Sequence, residues 1–172
     1  VTRILGIDPG SINTGFGIID VAGHHHTHVH SGRLKISGAD LPERLGFIFS
    51  EIHQLLHEWR PQEAAIENVF MSRNADSALK LGQARGAAIC ALVRQGLGVA
   101  EYSPREIKLS VVGKGNAAKE QVQHMVKVLL RLDEHPQADQ ADALGVAICH
   151  AHMRASLRRV GGARNIRGGR YR

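Results

Sequence analysis

Short apolar runs broken by turn residues fill the first fifth of this 172-residue chain, and a longer period takes over after them. Residues 4–8, 15–21 and roughly 27–36 have strand character, and Pro9-Gly10 stops the first run at once. Three strands at this spacing predict an antiparallel meander. Leu41, Leu45, Ile48, Ile52 and Leu55 then recur at three- and four-residue steps, the mark of a helix that buries one stripe. Beyond Pro61 the pattern predicts a strand at 64–67, a long helix over 75–94, a strand at 99–102 and helices near 117–132 and 138–154. Strands first, then helix and strand in alternation, give an α/β fold: a mixed sheet with helices on its faces.

Four acids stand where this pattern makes them hard to explain as surface. On a helix opened by Pro136, Asp139 and Asp142 are three residues apart, so both carboxylates share a face near the positive end of the helix dipole. One Asp in a first turn is ordinarily a surface residue that satisfies the dipole. Here, however, the first apolar strand also ends in an acid, Asp8, and the strand at 64–67 ends in Glu67. Functional groups collect at the carboxyl ends of strands in open α/β sheets, where loops leave a crevice. Four carboxylates converging there would repel one another without a cation, and an oxygen-only ligand set suits Mg²⁺ or Mn²⁺.

The motifs that carry these acids are specific. Gly6-Ile7-Asp8-Pro9-Gly10-Ser11 with Thr14-Gly15-Phe16-Gly17, Ile66-Glu67-Asn68-Val69-Phe70, the run from Asn74 to Gly86, and Pro136-Gln137-Ala138-Asp139-Gln140-Ala141-Asp142-Ala143-Leu144 together resemble the RuvC family of bacterial Holliday-junction resolvases, in order from Ile4 to about His150. The resemblance implies an RNase H-like five-stranded mixed sheet, a meander of three strands followed by parallel strands. It implies a homodimer that nicks four-way DNA junctions symmetrically in strands of like polarity, in recombination and repair, leaving 5′-phosphate and 3′-hydroxyl ends. It further implies a preference for a short thymine-containing sequence and cooperation with the RuvA–RuvB branch-migration complex. Asp8, Glu67, Asp139 and Asp142 would hold two Mg²⁺ per active site, with Mn²⁺ able to substitute. Lys108 and Lys119 match lysines that the family places near its catalytic site, where a cation can stabilise charge building on the phosphate. Phe70 falls in what resembles a junction-probing loop, and Arg73 and Lys80 are candidate phosphate contacts beside it.

Composition narrows the setting. The chain carries a formal charge of +6, yet the seven arginines from Arg154 onward leave 15 Lys and Arg against 16 Asp and Glu before them, a net charge of −1. The expected organisation is a nuclease domain over 1–155 and a basic, disordered tail over 156–172, which either contacts DNA or only solubilises. No apolar run is long enough for a membrane span and no basic-then-apolar leader is present, so the expected location is the cytoplasm. Cys90 and Cys149 fall in apolar helical stretches and read as buried free thiols. Ala78, Gly82 and Gly86 recur at four-residue steps, a groove for either this chain's own sheet or a second copy. The histidines at 24, 25, 26, 28 and 30 cluster in the hairpin between the second and third strands, outside the recognised pattern. Two rival readings are weak. Asp8-Pro9-Gly10-Ser11 also resembles the first phosphate loop of actin-like ATPases, but that fold needs two such domains. A non-catalytic junction-binding module would not be expected to keep all four acids.

Overall fold

Alternation along the strands determines which side chains meet which helices. The computed structural model describes residues 1–68 and 74–161, with side chains through residue 157. Its strands are β1 (Thr2–Asp8), β2 (Asn13–Ala22), β3 (His25–Lys35), β4 (Glu63–Glu67) and β5 (Val99–Tyr102). They form one sheet in the order β3-β2-β1-β4-β5. The first three pair antiparallel, while β4 runs parallel to β1 and β5 parallel to β4, as the meander and the later alternation predict. The helices are α1 (Leu41–Trp59), α2 (Ala75–Arg94), α3 (Pro104–Val112), α4 (Lys119–Leu130) and α5 (Ala138–Gly161).

Two cores flank the sheet. Leu5, Ile7, Phe16, Ile18 and Ile66 pack with Ile48 and Ile52 of α1 and Ala84, Ala88 and Leu92 of α2. On the other face Ile4, Ile19 and Ala65 pack with Val111 of α3, Val126 of α4 and Leu144 and Ile148 of α5. Each fully buried Ile or Leu contributes about 1.5–3 kcal/mol relative to exposure. Because strand side chains alternate, Asp8 shares the α5 face with Ile4, and Glu67 shares it with Ala65. Helix α5 lies unusually close to that face. A Cβ on Gly6 would stand 2.2 Å from the Ala143 carbonyl oxygen, and one on Gly15 would stand 2.2 Å from that of Asp139. Bare backbone at these two positions lets the first turns of α5, and so Asp139 and Asp142, come down over the end of β1.

The structure differs from the sequence pattern in several places. Helix α3 is absent from the periodicity reading because its buried stripe is only Ile107 and Val111. A legible signal was present: the Ser103 hydroxyl caps the Glu106 N–H, the Glu106 carboxylate accepts from the Ser103 N–H at 2.7 Å, and Pro104 follows the cap. Helix α5 runs to Gly161, past the expected end at 154 and past the expected domain boundary, so residues 156–161 are helical. Arg154 explains part of this. Its Nε lies 3.1 Å from Glu63 Oε1 and its terminal nitrogen donates to the Thr2 hydroxyl at 2.9 Å, so it is anchored to the fold rather than free as a tail cation. The remaining tail, 162–172, lies outside the described residues.

The histidine cluster is mostly strand rather than turn, since β3 begins at His25. His30 stacks on Trp59 and tilts against Phe16, and His28 bonds the Ser31 hydroxyl, so these rings serve packing. Cys149 is buried as expected, but Cys90 is exposed. Helix α2 meets the sheet through Ala84, Ala88, Ala91 and Leu92, whereas a Cβ on Gly82 or Gly86 would touch nothing within 4 Å. That groove therefore faces away from the chain's own sheet. Among the described residues no helix is long and apolar enough to cross a membrane.

Candidate active site

Register turns two strand ends into one site. Ile7 of β1 pairs in parallel with Ile66 of β4, so the next residues, Asp8 and Glu67, end side by side. The turn after Asp8 is tied down by the buried Thr14, whose hydroxyl accepts from the Gly10 N–H at 3.3 Å and donates to the Gly10 carbonyl at 3.2 Å. After Glu67, the Asn68 N–H donates to the Tyr102 carbonyl at 2.7 Å. Asp142 reaches the same place from α5, Lys108 from α3, and Lys119 from the first residue of α4. These five side chains line a cleft of about 250 Å³, with Ile107 and Val122 among its apolar walls.

The electrostatics are those of crowded like charges. Asp8 is pushed up to about 9, first by burial and then by the charge and hydrogen bond of Glu67, with smaller pushes from Asp142 and Asp139. The contact between the two carboxyl groups raises Asp8 and lowers Glu67. Burial also raises Glu67 and Asp142, and Lys119 and Lys108 pull both back. Lys119 Nζ stands 3.8 Å from Asp142 Oδ2. Asp139, one turn earlier on α5, sits beside this cleft rather than in its lining, with Oδ2 3.6 Å from an Arg33 guanidinium nitrogen.

A donor set made only of carboxylate oxygens fits a hard divalent cation such as Mg²⁺ or Mn²⁺. Among the described residues, no three carboxylate, histidine or cysteine side chains already form a metal cage. Ligation needs these carboxylates deprotonated, so taking up a cation would release any proton they hold.

The other expected residues divide. Lys80 is exposed on α2, pairs with Asp76 at 2.7 Å, and lines a separate cavity with Ser11, Ile12 and Arg44. Phe70 and Arg73 lie outside the described residues. Two turns beyond Asp142 on α5, His150 is held by the Tyr102 hydroxyl at 2.8 Å and Glu63 at 3.0 Å. Two arginines that sequence reasoning passed over touch the acids, Arg33 through the Asp139 carboxylate and Arg85 through the Glu67 carbonyl. Arg85 falls inside the quoted run from Asn74 to Gly86, which was its one available signal; Arg33 had none.

Known proteins share both the sequence and the shape. The model of the family "Crossover junction endodeoxyribonuclease RuvC" matches residues 4–150. A crossover junction endodeoxyribonuclease RuvC of Hahella chejuensis is 54% identical over 170 residues, covering 99% of each chain. That of Shewanella sediminis is 56% identical over 170 residues, covering 98% of each. Among solved structures, Thermus thermophilus RuvC in complex with a Holliday junction substrate superposes with a TM-score of 0.85 at 34% identity, over 91% of this chain and 96% of that one. With its acids gathered at the strand ends and these relatives spanning almost its full length, the chain belongs to the RuvC family of crossover junction endodeoxyribonucleases.

Proposed function

We propose that this chain is a structure-selective DNA endonuclease that resolves four-way junctions by paired nicks in strands of like polarity. One observation carries the reading: in a member of this family, Asp8, Glu67 and Asp142 share a single cleft with Lys108 and Lys119. Asp8, Glu67, Asp142 and, from the adjacent turn, Asp139 would hold two Mg²⁺. Bound there, such ions supply Lewis-acid activation of the attacking water and stabilise the departing 3′ oxygen. The chain's own part is to hold the acids on rigid strand ends and a helix terminus, within reach of one phosphodiester. Lys108 and Lys119 flank the acids and orient the scissile phosphate, adding positive charge where negative charge grows. Water's oxygen bonds to phosphorus as the bond to the 3′ oxygen breaks, leaving 5′-phosphate and 3′-hydroxyl ends. Mn²⁺ is expected to substitute.

Two symmetric cuts call for two sites, and α2 offers the surface for a dimer. Leu79 and Val93 are 62% and 57% exposed on it, and open space lies above Gly82 and Gly86. A second copy laying the same stripe against this one would bury it isologously. The same reading includes action in the cytoplasm beside the RuvA–RuvB branch-migration complex.

The test is to offer the protein a four-way junction, a plain duplex and an RNA–DNA hybrid, with and without Mg²⁺, and to map the ends. Metal-dependent, symmetric nicks confined to the junction are expected. Preferential cutting of the hybrid would instead identify a ribonuclease H activity.

A further inference from the structure

Glu67 is the last residue of β4 in register with β5, so its carbonyl lies where the sheet's ladder ends. Arg85 reaches it from α2: its Nε donates to the Glu67 carbonyl oxygen at 3.3 Å, and its terminal nitrogen pairs with the Glu101 carboxylate of β5. The guanidinium thus joins three elements at the residue that carries an acid of the cleft. From the other side, the Asn68 N–H is bonded to the Tyr102 carbonyl. The single peptide group that leads from Glu67 out of the strand is thereby anchored at both its carbonyl and its N–H.

Energy alone does not account for this arrangement. Glu101 is 50% exposed, and an ion pair so open to water contributes little to stability. Arg85 itself is only 19% exposed, which is costly for a long cation unless its position serves a purpose. A guanidinium can serve a carbonyl and a carboxylate at once through its planar fork, as an ammonium cannot. Metal ligands need this kind of support, because a carboxylate displaced by a fraction of an ångström loses affinity for a small ion with strict geometry.

We infer that Arg85 is a positioning residue for the metal-ligand role of Glu67, bracing the end of β4 against α2 and β5. This rests on the reading of Glu67 as a metal ligand. Arg85 does not line the cleft; it acts through the backbone of Glu67.

The test compares full-length wild type, Arg85→Gln, Arg85→Lys and Glu67→Gln. Three quantities are read: Mn²⁺ affinity of the free protein by calorimetry, junction affinity in chelator, and single-turnover cleavage across a Mg²⁺ titration. Arg85→Gln should weaken Mn²⁺ binding roughly 10–100-fold and shift the Mg²⁺ requirement of cleavage by a similar factor. High Mg²⁺ should then restore its rate, junction affinity should stay within about twofold of wild type, and Arg85→Lys should fall between the two, since an ammonium can keep one of the contacts. High Mg²⁺ should not restore Glu67→Gln. Mn²⁺ affinity of Arg85→Gln within about twofold of wild type would overturn the inference, whether or not the variant melts earlier. So would a loss of junction affinity matching the loss of rate, which would make Arg85 a phosphate contact. Wild-type Mn²⁺ affinity in Glu67→Gln would overturn the assignment of Glu67 itself, and the inference with it.

Discussion

The two ends of the sheet treat their acids in opposite ways. At one end Asp20 is gripped by Arg3 through two bonds of 2.8 Å, and Glu63 is matched by His150 at 3.0 Å and Arg154 at 3.1 Å. At the other, Asp8 is packed against a second acid, Glu67, and the cations lining its cleft are lysines from α3 and α4. Glu63 and Glu67 stand on the same face of one five-residue strand, so neither the secondary structure nor the side of the sheet distinguishes them. The partner does. Arg3 holds the Asp20 carboxyl below its ordinary range, whereas burial and like charge push Asp8 up to about 9. An acid supplied with its own cation supports the fold. An acid packed against other acids leaves the fold under repulsion that a bound cation or a proton must relieve.

The comparison breaks most sharply at the crowded end. Asp8→Asn, Glu67→Gln or Asp142→Asn should each cut junction cleavage more than about 100-fold while junction binding holds or tightens slightly, because a metal ligand is lost and a phosphate contact is not. A quantitative nicking assay beside a gel-shift titration checks this, and more than a few per cent of wild-type nicking in any of the three would separate that residue from the site. If Phe70 stacks on an exposed base and so helps distort the crossover, Phe70→Ala should lower cleavage by about tenfold more than affinity, because phosphates supply most of the binding. Equal losses would indicate a folding defect.

At the paired end the expectation reverses. Arg3→Ala should lower stability by about 1–3 kcal/mol, because it strands a partly buried Asp20 carboxylate, and should leave the cleavage rate of the folded protein unchanged. Denaturant melts and single-turnover cleavage together read the two effects.

pH separates the ends by sign. Asp8 holds a proton up to about 9 against an ordinary 3.8, so the folded state keeps a proton that the unfolded state releases, and stability in chelator should fall as pH rises between those values. Asp20, held low by Arg3, contributes stability that is present above its ordinary range and lost only as pH falls through its lowered value. Thermal melts of wild type and Asp8→Asn from pH 5 to 9 in chelator test this: the fall should flatten in the variant, and Mg²⁺ should flatten it in wild type.

The smallest effect is expected past the last described residue. Because Arg154 belongs to the paired end, a test of the tail must cut after Gly161, which removes Arg164, Arg167, Arg170 and Arg172. If these touch phosphates, each one engaged should contribute roughly 0.9 to the slope of log affinity against log salt, equally on duplex and junction. Identical slopes for both forms would leave the tail as a solubilising end.

By itself the sequence determined the strand and helix order, because periods of two and about 3.6 are local properties of the chain. It also marked Asp8, Glu67, Asp139 and Asp142, since an acid that ends an apolar strand or pairs within a helix's first turn is visible in a few neighbouring residues. Helix α3 escaped because nine residues with two buried positions give a period too little length to declare itself, although its capping box was readable. What only the tertiary structure decided was which charges meet. Glu63 and Glu67 look alike in sequence, and the charged groups that act on their carboxylates come from β1, α3, α4 and α5, at least about 40 positions away. Nothing local tells Arg154 from the arginines that follow it, or Arg85 from any other helical arginine. Those assignments depend on parallel register between β1 and β4 and on the close descent of α5 over Gly6 and Gly15, which are properties of packing between distant segments.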